Sequence, residues 1–74
     1  MVVKVKLFAT FRYGRFVSKE VEVPPGCNVD WILSELNISP EEAAIILVNG
    51  RSLTRETLLN DGDTVALFPP VGGG

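Results

Sequence analysis

One helical stripe is nearly all this chain has with which to cover a sheet. Val29, Ile32, Leu33 and Leu36 fall at i, i+3, i+4 and i+7. That spacing makes one apolar face on one helix of about two to three turns. Asn28 is a suitable N-cap and Asn37 can close the far end. Elsewhere the hydrophobic period is that of strands. A sheet served by one main helix is covered on one face and open on the other.

Val2 to Phe8 alternates, with Val3, Val5 and Leu7 on one face and Lys4, Lys6 and Phe8 on the other. Val17 to Val23 alternates again, with Val21 and Val23 inward and Ser18, Glu20 and Glu22 outward. The Gly14-containing link between the two runs predicts a hairpin. Pro24-Pro25-Gly26 ends the second strand, because proline cannot donate to a ladder. Ser39-Pro40-Glu41-Glu42 has the form of a cap followed by a first-turn proline, which predicts a short helical turn. Ile45 to Val48 is a short apolar run, and Asn49-Gly50 after it signals a tight turn into Arg51 to Leu53. Asp61-Gly62-Asp63 is a second turn, and Thr64 to Phe68 the last strand, with Val65 and Leu67 on one face. The order is strand, strand, helix, short strands, strand. The predicted class is α+β, a mixed sheet with one main helix on one face. The helical link is long enough for a crossover between parallel strands.

The 74 residues make one domain at most. A chain of this size buries only about 60% of its unfolded surface, so its stability margin is thin. Its 46% hydrophobic content is nevertheless that of a globular chain. The start lacks a signal-peptide pattern, and no apolar stretch approaches the roughly 18 residues of a membrane span, so a cytoplasmic protein is expected. The net charge is −2, and the seven Lys and Arg are scattered, which argues against nucleic acid. Histidine is absent and Cys27 is the one cysteine. A structural zinc site, an intrachain disulfide and a Ser-His or Cys-His nucleophile pair are thereby excluded within this chain. Cys27 has no obvious cationic activator beside it in sequence. Asp61 and Asp63 are explained by turn chemistry, and no metal is expected there. Trp31 lies off the apolar stripe, where it caps the core edge or touches a partner.

The remaining candidate is the end of the sequence. Pro69-Pro70 favours extended geometry and stops the last strand. Val71 to Gly74 then reaches on the order of 13 Å if extended. Gly72, Gly73 and Gly74 carry no Cβ atoms, so they can pass a channel too narrow for side chains and present a carboxylate. Residues 1–71 are the expected folded domain and 72–74 a glycine tail. Phe8 and Phe68 both face away from the helix. If their strands are neighbours, they form an apolar docking patch, extended by Ile45 or Leu47 according to strand parity.

Three segments carry a family resemblance. They are Val5-Lys6-Leu7-Phe8-Ala9-Thr10, Val48-Asn49-Gly50, and the run from Asp61-Gly62-Asp63 to Pro69-Pro70-Val71-Gly72-Gly73-Gly74. Together they resemble the MoaD/ThiS family of sulfur carriers over essentially the whole chain. Val-Asn-Gly alone is a weak signal; Asp-Gly-Asp with Pro-Pro-Val and a terminal Gly-Gly is specific. The Pro-Pro-Val form is similar to the molybdopterin branch of the family more than to the thiamine branch. Gly72 departs from the Ala or Ser frequent there, which loosens the tail by under roughly 1 kcal/mol. Trp31 is also less typical.

The resemblance implies a ubiquitin-like β-grasp fold. It implies a carrier that is not itself an enzyme and binds no cofactor of its own. An adenylating partner of the MoeB/ThiF type, akin to ubiquitin-activating enzymes, would supply ATP and Mg. That partner would hold Phe8, Phe68, Pro69, Pro70 and Val71, with Gly72 and Gly73 giving access to Gly74. The Gly74 carboxylate would become an acyl-adenylate. A sulfur donor would then make it a thiocarboxylate, to be used inside the larger molybdopterin synthase subunit. Sulfur delivery to thiamine thiazole, conjugation to lysines as a protein modifier, and a plain adaptor role stay open at this stage.

Overall fold

Alternation in the first run becomes a strand with one dry face. The computed structural model describes residues 1–70. In β1 (Val2–Leu7), Val3, Val5 and Leu7 are buried while Lys4 and Lys6 are exposed. β2 (Ser18–Glu22) pairs antiparallel with β1, Val3 opposite Val21. The helix α1 (Val29–Glu35) follows, then β3 (Ile45–Val48), β4 (Arg51–Ser52) and β5 (Thr64–Phe68). The sheet order is β2-β1-β5-β3-β4. β1 and β5 run parallel, and the other pairs are antiparallel. Val29, Ile32 and Leu33 of α1 join the inner residues of β1, β3 and β5 in one core.

The helix ends show why it forms where it does. The Asn28 Oδ1 accepts the Trp31 N–H at 3.0 Å. The Val29 and Asp30 N–H groups donate to the carbonyls of Thr57 and Arg55, at 3.1 and 2.9 Å. The free donors of the first turn are thus met, two of them by a loop distant in sequence. At the other end Asn37 takes φ +58°. Its N–H donates to the Ser34 carbonyl, and the Ile38 N–H donates to that of Leu33. This is a Schellman closure, and both Ile38 and Leu33 are buried in the core.

Three expectations need correction. Ser39–Glu42 is a hydrogen-bonded turn, not a helical one. The Glu42 carboxylate takes both the backbone N–H and the hydroxyl of Ser39 at 3.1 Å, but the chain passes on toward β3. Val17 precedes β2 and is exposed. Ala9–Arg12, expected as plain connection, is a 3-10 turn that buries Phe11. Asn49 and Gly50 do form the two-residue turn, both at positive φ. The aspartates are structural acceptors, as turn chemistry requires. Asp61 takes the Val2 N–H at 2.7 Å, and Asp63 takes the Asn60 N–H and the Asn49 side-chain amide, each at 2.8 Å.

Candidate functional site

The parallel pairing of β1 with β5 builds the site. Leu7 stands opposite Leu67, so the next residue of each strand lies beside its counterpart. Phe8 and Phe68 stack there, centroids 4.2 Å apart and planes 7° from parallel. Carbon layers in contact are about 3.5 Å apart, so the rings are slid by roughly 2 Å rather than eclipsed. The Phe8 N–H donates to the Leu67 carbonyl, and the Ala44 N–H to that of Phe68. Both rings are half-buried on the face that α1 does not cover.

Strand parity settles the edge of this patch. Ile46 and Val48 point into the core, so Ile45 and Leu47 share the outer face. Both residues, not one or the other, border the patch, because residues two apart in a strand lie on the same side. Ile45 stands opposite Phe68 and Leu47 opposite Ala66. Pro69 is half-buried and Pro70 exposed. Val71, Gly72, Gly73 and Gly74 lie outside the described residues.

Sequence reasoning missed Arg12, which it counted as one scattered cation. Its guanidinium carbon sits 5.2 Å from the Phe8 ring centroid. The signal was a spacing of four residues from Phe8, readable only if the connection is helical. The other sequence candidates stand apart from this face. Trp31 is half-buried against the core edge. Cys27 is partly buried, and burial pushes its thiol pKa up against a weaker opposing pull from the N-terminal amine. Among the described residues no cluster of three metal-ligating side chains occurs, and no helix is long and apolar enough to cross a membrane. A hollow of about 490 Å3 lies between Asp30 and Pro40, away from the phenylalanines. Neither phenylalanine lines that hollow; the stacked pair is half-exposed on the sheet face that α1 leaves open.

The model of the ThiS family matches residues 5–74. The chain belongs to the ThiS family. This family comprises ubiquitin-like sulfur carriers, MoaD and ThiS among them. Among solved structures, a Pyrococcus furiosus protein assigned as molybdopterin converting factor subunit 1 is similar at 36% identity and TM-score 0.77. The match covers 96% of this chain and 99% of that one. The small archaeal modifier protein SAMP1 of Haloferax volcanii is similar at 26% identity and TM-score 0.76, with both chains covered in full. A Helicobacter pylori structure, a complex of subunits 1 and 2 of molybdopterin-converting factor, matches at TM-score 0.67, again over the full length of both chains. Its 24% identity shows the fold alone. The ubiquitin-like β-grasp expected of this ThiS-family member is the fold observed: a mixed five-stranded sheet with one helix.

Proposed function

We propose that this ThiS-family protein carries sulfur as a thiocarboxylate on Gly74 for molybdopterin synthesis. The observation that carries this reading is the likeness to the Pyrococcus furiosus converting-factor subunit along nearly the whole of both chains. A carboxylate is a poor electrophile. Attack of the Gly74 carboxylate on ATP would release pyrophosphate and leave AMP as a good leaving group. A sulfur donor would then displace AMP. This chain has no phosphate-binding G-x-x-x-x-G-K-[ST] loop and no histidine. Nucleotide, Mg and positioning are therefore assigned to an adenylating partner of the ubiquitin-activating type. That partner would grip Phe8, Phe68, Pro69, Pro70 and Val71, while Gly72 and Gly73 let backbone alone enter its groove. The finished thiocarboxylate would pass to a larger synthase subunit, an assembly of the kind named for the Helicobacter pylori complex.

Likeness to SAMP1 favours a second reading, conjugation of Gly74 to lysines of other proteins. Intact-mass analysis of protein from its native host separates the two. A mass increase from sulfur replacing oxygen, mapped to Gly74, is expected for the carrier. Isopeptide ladders on other proteins, with no such increase, would point to the modifier. Full pathway activity after deletion of Gly73-Gly74 would exclude both.

A further inference from the structure

Arg12 is held in place before anything binds. It closes the 3-10 turn Ala9–Arg12. Its Nε donates to the Leu7 carbonyl at 2.7 Å, and its guanidinium lies over the Phe8 ring. Among the described residues this is the one hydrogen bond of its side chain, and the one ion pair is elsewhere, between Arg55 and Glu56. On the open face the acidic strand residues are Glu20 and Glu22 of β2, opposite Lys4 and Val2 and so toward the start of β1, whereas Arg12 follows its end. β1, β3 and β5 contain no Asp or Glu, and Lys4 and Lys6 add positive charge. The acidic residues sit on β2, on α1 and in the loops.

A protein that covers the phenylalanine pair must also cover this guanidinium. Burying a charge without a partner is costly, and pairing it with a planar carboxylate uses the nitrogens that Nε leaves free. We propose that Arg12 is a preset receptor for one Asp or Glu side chain of the adenylating enzyme. That carboxylate lies at the rim of an apolar surface that takes Phe8, Phe68 and Ile45. The inference rests on the docking role assigned to this face. The Leu7 bond and the ring have already removed much of the side-chain entropy that an exposed arginine loses on pairing. The pair therefore favours this partner over one with a neutral or basic rim.

Titration calorimetry of the full chain against the adenylating enzyme of the same organism, at low and high salt, tests the idea. Variants are Arg12→Lys, Arg12→Glu and Phe68→Ala, each checked for folding by thermal melt. Arg12→Glu should weaken binding by at least about tenfold and flatten its salt dependence, with Arg12→Lys between it and the parent. Arg12→Lys keeps the charge, so it remains informative if Arg12→Glu fails to fold. Arg12→Glu affinity within about twofold of the parent, alongside a large loss in Phe68→Ala, overturns the receptor role and leaves the docking face standing. No loss in any variant overturns both.

Discussion

The Phe8–Phe68 stack should show itself as a coupling between two substitutions. Each ring is half-buried, and full burial of a phenylalanine contributes about 1.5–3 kcal/mol, so half of that is about 1 kcal/mol. A stacked pair adds about 1 kcal/mol beyond area. Phe8→Ala and Phe68→Ala should therefore each cost about 2 kcal/mol, lowering Tm by roughly 10 °C in a domain of this size. The double variant loses both burials but the stack only once. It should cost about 3 kcal/mol rather than 4, a coupling of about 1 kcal/mol. Urea unfolding of the four proteins measures it, with the single tryptophan, Trp31, as an emission probe. Additivity within about 0.3 kcal/mol would refute the reasoning, since independent rings have nothing to share. The same variants separate stability from recognition. A ring that serves as a partner's anchor should cost about 2 kcal/mol or more in binding when it is removed, measured under conditions where every variant is folded.

Other outcomes follow from single positions. Asn37→Ala should lose about 1 kcal/mol in urea unfolding while Asn37→Gly holds or gains, because φ +58° penalises a Cβ without a compensating amide. The Glu42 carboxyl pKa is lowered chiefly by the Ser39 backbone N–H, and next by its hydroxyl. Its contribution is complete above the unfolded pKa and is lost as pH falls through the lower folded value. An NMR titration of Ser39→Ala should raise the Glu42 pKa only part of the way to an unperturbed carboxylate. Cys27, its pKa raised by burial, should alkylate with iodoacetamide at neutral pH more slowly than an unstructured cysteine; a faster rate would contradict its assigned environment.

Much of the architecture was legible because strand alternation and the helical stripe are local. Val3, Val5 and Leu7 face inward by parity, and Asn28, Asn37 and Asn49-Gly50 mark ends and turns by their own backbone preferences. Ser39-Pro40 shows the limit of that logic. Its cap chemistry is present, yet the chain passes directly to β3 and no helix propagates. Residues 53–60 carry no periodic signal, although they bury Leu59 and lend two carbonyls to the start of α1.

The sequence by itself determined which strand and helix residues face inward, that Asn49-Gly50 and Asp61-Gly62 turn the chain, and that a single main helix leaves one sheet face open. It also marked the glycine end as the reactive candidate, through Pro69-Pro70 and the absence of histidine. Only the tertiary structure decided that β1 and β5 are neighbours, in parallel and in register at Leu7 and Leu67. That pairing joins residues some sixty positions apart, and no local pattern encodes it. It turns two separate phenylalanines into one stacked surface, puts Ile45 and Leu47 beside it, and seats Arg12 over it. Which face is open follows from counting elements; what that face offers a partner depends on which strands meet.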